Sequence, residues 1–185
     1  MARCLLVVDI QADYFPGGAH PLVEPLAAAE AANRVLTAFR AGGEQVVHVR
    51  HLWDSPDAPF LRAGTPGVEF HPLVAPEDGE PVVDKAAPNS FLGTNLQQVL
   101  ADRGVDSLCV AGMMTSMCVD ATVRAAVDLG FDVTVVHDAC AAPDLDFGDT
   151  HVPGAQVHAA FVAALADGYA AVVSSEELAG SAGAA

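Results

Sequence analysis

The chain has 185 residues, of which 52% are hydrophobic, and its 24 acidic and 8 basic side chains give a formal net charge of −16 at pH 7. A chain of this length buries a full core, which sets aside disordered and fibrous classes. The scattered Lys and Arg exclude a nucleic-acid binder, which needs clustered cations to neutralise phosphates. No apolar run approaches the ~20 residues of a membrane span, and Met1-Ala2-Arg3-Cys4-Leu5 shows no signal-peptide pattern. The expectation is a cytoplasmic protein without a membrane partner, whose four cysteines (Cys4, Cys109, Cys118, Cys140) are free thiols.

In chain order, Cys4–Val8 is a continuous apolar run, the pattern of a strand buried on both faces, and it ends in Asp9. Glu24–Ala41 is Ala-rich with helical spacing and stops at Gly42-Gly43. Val46–Val49 is the second strand. Residues 52–80 hold Pro56, Pro59, Pro66, Pro72 and Pro76 and predict a long irregular loop. Pro81–Asp84 is a brief third strand before Lys85, Thr94–Ala101 a helix, and Ser107–Ala111 a strand closing at Gly112. A helix is predicted over Cys118–Leu129, a strand over Val133–Val136, a helix over His151–Ala166 and a last strand over Ala171–Val173. This alternation predicts a three-layer α/β/α sandwich with a mainly parallel, about six-stranded Rossmann-like sheet. One domain is expected over 1–179, with a flexible tail at 180–185.

Ligands of open parallel sheets bind at the carboxyl ends of the strands. There the sequence places Asp9, His51 and Trp53, Lys85, and the segment Gly112–Cys118 that leads into a helix. A helix N-terminus and a nearby cation lower a thiol's pKa, so Lys85 and the turn are expected to activate Cys118. Asp9, held ionised by Lys85, can take the thiol proton and return it to a leaving group. Free backbone N–H groups at the turn can stabilise an oxyanion. Each of these residues also has an ordinary structural role open to it: core packing for the cysteine, a cap or ion pair for the aspartate, a surface charge for the lysine. Cys4 and Cys109 lie inside strand runs and fit the core.

Three segments carry a resemblance. Val8-Asp9-Ile10-Gln11-Ala12-Asp13-Tyr14-Phe15 with Gly17-Gly18, Lys85-Ala86-Ala87-Pro88-Asn89-Ser90-Phe91, and Gly112-Met113-Met114-Thr115-Ser116-Met117-Cys118-Val119 resemble, in this order, the motifs of the isochorismatase-like cysteine hydrolases. That superfamily includes nicotinamidase and N-carbamoylsarcosine amidohydrolase, and the chain is most similar to its broad uncharacterised branch. The resemblance implies a triad of Asp9, Lys85 and Cys118, a cis Met113–Met114 peptide, an oxyanion hole from the N–H groups of Met114 and Cys118, and a homodimer or homotetramer.

The expected reaction is hydrolysis of a small amide or related C–N bond through a Cys118 thioester. Gln11, Tyr14, Phe15, His51, Trp53, Phe91 and Thr115 are the candidate substrate contacts, and Phe60 could join their apolar wall. No cofactor is expected. The Asp-x-His pair of nicotinamidases is replaced here by His51 and Trp53, so no built-in metal is expected either, although His48, His51 and His71 could in principle supply ligands. The alternatives are vinyl-ether hydrolysis with Asp9 as the acid, a non-catalytic binding protein on the same fold, and a flavodoxin-like carrier, for which the phosphate loop after the first strand is lacking.

Overall fold

A computed structural model describes residues 2–181. Its centre is β1 (Ala2–Val8), and Cys4 to Val8 have no exposure at all. A strand covered on both faces must be apolar throughout, and its alternate residues then feed two cores. Leu5 and Val7 pack on one face against Ala28, Ala32, Val35, Leu36 and Phe39 of α1 (Pro25–Ala41). Cys4, Leu6 and Val8 point to the other face, with Leu96 and Leu100 of α2 (Leu96–Ala101) and Val123 and Ala126 of α3 (Asp120–Asp128). The alanines of α1 carry no side chain beyond Cβ, so the helix lies close to the sheet.

Next to β1 lie β2 (Gln45–His51) and β4 (Val105–Met113), and β3 (Val82–Lys85) and β5 (Asp132–Ala141) flank those. With β8 (Ala171–Val173) the order is β3-β2-β1-β4-β5-β8, every pairing parallel. The chain therefore winds outward from β1 in one direction and from β4 in the other. The crevice between those strand ends is where such sheets bind ligands.

Two elements depart from the sequence expectation. The predicted helix over His151–Ala166 begins later, as α4 (Gly154–Gly168). His151 belongs instead to a hairpin of β6 (Leu145–Phe147) and β7 (Thr150–Val152), turned by Gly148 at φ 58 and Asp149. Gly-Asp between two short runs is a hairpin signal, and Pro153 marks the break before the helix. The second addition is α5 (Ser175–Ser181). Ser174 Oγ accepts from Glu177 N–H while Glu177 Oε2 accepts from Ser174 N–H, a capping box legible as Ser-x-x-Glu. Positions 180 and 181 of the expected tail thus close a helix, and 182–185 lie outside the described residues.

The 52–80 segment is irregular, with single helical turns at Pro66–Val68 and Pro72–Val74. The Asp9–Phe15 motif ties it down. Asp13 accepts from Ala19 N at 3.0 Å and Leu61 N at 2.6 Å, and Ala12 N donates to Glu69 O.

Candidate active site

Each strand end contributes one group. Asp9 follows β1 at φ 52, a left-handed conformation uncommon outside glycine, with its N–H bonded to Val49 O at 3.0 Å. His51 and Lys85 are the last residues of β2 and β3 and stand opposite each other in the parallel register. Beyond β4 the Met113–Met114 peptide is cis. The chain then makes a wide, π-type turn over Thr115–Val119 that runs directly into α3, with Val119 N donating to Met114 O at 3.2 Å. The helical path so begins three residues before Cys118, which lies within its first turns.

Gly112 makes the approach of β1 and β4 possible. It pairs with Val8 at φ 152, and a Cβ there would collide with Val8 O.

These groups meet at Lys85 Nζ, which lies 2.6 Å from Asp9 Oδ2, 3.1 Å from Cys118 Sγ, 2.8 Å from His51 Nδ1 and 3.0 Å from Ala87 O. Asp9, Lys85, His51 and Cys118 are all buried. The Asp9–Lys85 contact is an ion pair set off the hydrogen-bond direction: among the described residues neither Asp9 oxygen meets a donor in good hydrogen-bonding geometry.

Electrostatics here correct one expectation. Burial first, and then the Asp9 carboxylate, push the Cys118 thiol up, and Lys85 offsets them only in part. Asp9 is itself raised by burial against the pull of Lys85. A single buried cation sustains a single buried anion. The resting centre therefore holds one negative charge, on Asp9, and a protonated thiol. Moving the thiol proton to Asp9 moves that charge to sulfur without changing the net charge.

The donor atoms of Asp9, His51 and Cys118 lie within 4.8 Å of one another, and among the described residues no other His, Cys, Asp or Glu group of three comes as close. The cation seated in this set is the Lys85 ammonium. His48 and His71 do not join it: His48 Nε2 bonds Glu80 at 2.8 Å, and His71 stacks on Phe15 at 4.0 Å.

Trp53, 39% exposed, stands edge-on to His51 at 6.0 Å and to Phe60 at 5.3 Å, and Tyr14 and His20 pack on Phe60. A cleft of about 710 Å³ meets this aromatic group at Phe60, with Arg62 and Gly67 on its wall; it contains none of Asp9, Lys85 and Cys118. Other candidate contacts have structural partners. Gln11 is fully buried and bonded to the backbone of His51 and Val68. Phe91 stacks on Phe131 at 5.9 Å, and Thr115 Oγ1 bonds His158 Nδ1 at 3.0 Å. His158, on α4, had no signal in the sequence, because its reach to the turn depends on how α4 docks.

A doubly wound parallel sheet with a buried acid, ammonium and thiol at its strand ends defines an α/β protein with a cysteine-centred polar site. Residues 3–177 match the Isochorismatase domain model, and the chain belongs to the isochorismatase family of hydrolases. The uncharacterized isochorismatase family protein YddQ of Bacillus subtilis is 47% identical over 176 residues, covering 95% of this chain and 98% of that protein. Maleamate amidohydrolase of Pseudomonas putida is 34% identical over 149 residues, 72% of this chain and 70% of its own. A crystal structure of an isochorismatase-type hydrolase from Oleispira antarctica superimposes with TM-score 0.93 at 48% identity, covering 97% of this chain and 96% of that one.

Proposed function

We propose that this hydrolase cleaves a small amide or related C–N bond through a thioester on Cys118. The observation that carries the reading is the position of Lys85 Nζ, within 3.1 Å of both the Asp9 carboxylate and the Cys118 sulfur. The substrate carbonyl approaches Cys118, Asp9 takes the thiol proton, and sulfur forms a bond to the carbonyl carbon. The oxyanion turns toward the N–H groups of Met114 and Cys118. As the C–N bond breaks, Asp9 passes its proton to the leaving amine. Water then attacks the thioester and gives a proton to Asp9; the acid leaves, and that proton returns to Cys118 sulfur. Lys85 stays charged throughout and offsets the negative charge wherever it lies. A relative that is a maleamate amidohydrolase supports the amide class.

The test is an ammonia-release screen over small amides, ureas and lactams. Cys118→Ala is expected to abolish both turnover and covalent trapping by thiol reagents; full activity in that variant on a confirmed substrate would end this reading. One observation favours vinyl-ether hydrolysis instead: burial lifts Asp9 toward its protonated form, which an acid needs. That chemistry would show as turnover that tolerates Cys118→Ala and is lost in Asp9→Asn.

A further inference from the structure

The proposed reaction leaves His51 without a task, although its ring is closely constrained. Gln11 clamps its backbone from both sides: His51 N donates to Gln11 Oε1 at 2.8 Å, and Gln11 Nε2 donates to His51 O at 2.9 Å. From that base the ring places Nδ1 2.8 Å from Lys85 Nζ and 3.8 Å from Cys118 Sγ. An ammonium has only donors, so Nδ1 is the acceptor, and a neutral imidazole then carries its proton on Nε2. Burial, and after it the Lys85 charge, hold the ring neutral by lowering its pKa to about 4. The 3.9 Å approach of His51 to Asp9 Oδ2 is accordingly not an ion pair at neutral pH.

The opposite edge of the ring is free. Nε2 has no partner among the described residues, and it is not among the enclosed atoms left unpaired. Trp53, partly exposed, stands edge-on beside the same ring. A neutral N–H held this firmly next to the sulfur is pre-organised for a single acceptor.

We propose that His51 is the donor that reads the substrate, with Nε2–H hydrogen-bonded to an acceptor close to the scissile carbonyl. The substrate class narrows to small amides that carry a second oxygen or a ring nitrogen beside the amide, with their flat part against Trp53. The Lys85 charge disfavours a cationic substituent at that position. This inference rests on Cys118 being the nucleophile.

The test compares two reagents for the same sulfur: iodoacetamide, whose carbonyl can accept from Nε2, and methyl iodide, which has no acceptor. Mass spectrometry of the Cys118 peptide gives both rates in wild type and in His51→Gln, His51→Asn and His51→Phe. Because both reagents attack one thiol, their ratio cancels any change in nucleophilicity that His51 exerts through Lys85. A glutamine amide N–H reaches the Nε2 position and an asparagine only the Nδ1 position, so the ratio should survive in His51→Gln and fall about tenfold in the other two. An unchanged ratio in all three variants, or survival in Asn with loss in Gln, overturns the assignment of His51 alone. A wild-type Cys118 that takes up neither reagent overturns the thioester reading, and this inference with it.

Discussion

Lys85 Nζ has three N–H bonds, and four acceptors surround it: Asp9 Oδ2, His51 Nδ1, Cys118 Sγ and Ala87 O. His51 Nδ1, Cys118 Sγ and Ala87 O match those three N–H bonds, while Asp9 is held by charge, off the hydrogen-bond direction. Removing one member of a buried ion pair strands the other charge, at a cost of roughly 3–5 kcal/mol. Asp9→Asn should thus lower stability by about that amount in chemical denaturation, and it should lower kcat/KM roughly 10²–10⁴-fold through loss of the base. Adding Lys85→Met removes the stranded cation. The double variant is expected to recover much of the stability and none of the turnover; recovery of turnover would separate Asp9 from the chemistry. At this scale Asp9, Lys85 and Cys118 were legible because strand ends are legible. The task of Gln11 was not: its amide clamps the backbone of His51 at the end of β2 and ties in Val68 of the long loop, pairings that no local pattern records. Nor was the state of the thiol, since the burial that raises it is a tertiary property.

Among the elements, the 52–80 segment is closed at its far end by Glu80, which joins Arg40 of α1 and the fully buried His48 of β2. Burial alone would raise the Glu80 carboxyl, but the Arg40 guanidinium, the Glu77 N–H and His48 hold it down to about 2. Burial keeps His48 below its ordinary 6.5, so its Nε2–H donates as a neutral group and Nδ1 stays bare. Both shifts have the same sign. A depressed carboxyl stabilises the fold above its unfolded value of 4.5 and loses that as pH falls toward 2; a depressed histidine costs stability as the unfolded chain gains its proton below 6.5. Denaturation midpoints should therefore fall in two stages on acidification. Glu80→Gln should flatten the lower stage and, by removing the carboxylate that raises His48, deepen the upper one. An unchanged lower stage would remove Glu80 from the account. Apart from α5, the helices and the strands of the main sheet followed from apolar spacing. The β6–β7 hairpin did not, because two three-residue strands bury too little to leave a periodic trace.

For the whole molecule, charge is distributed unevenly. The chain carries −16, yet α4 runs from Gly154 to Ala166 without an acidic or basic residue other than His158, and only Gly154, Val157 and Leu165 of it are buried. Phe147 on the neighbouring hairpin is 87% exposed. An uncharged outer helix on so acidic a surface fits the homo-oligomer that the family resemblance implies. Light scattering at micromolar concentration should then return a multiple of 19.0 kDa, and a monomer mass would count against it. None of the described helices is long and apolar enough to cross a membrane.

The order of the sheet also governs when the site can exist. During synthesis β1 is made before β4, and Leu5 pairs with Cys109, about a hundred residues later. Until β4 and the turn after it have been made, Asp9 and Lys85 can meet on one side of the sheet with no sulfur between them. Closing so long a loop is slow compared with forming local helices. The thiol centre is therefore a late product of folding, assembled only when both halves of the sheet have joined, and shorter translation intermediates carry Asp9 and Lys85 without Cys118.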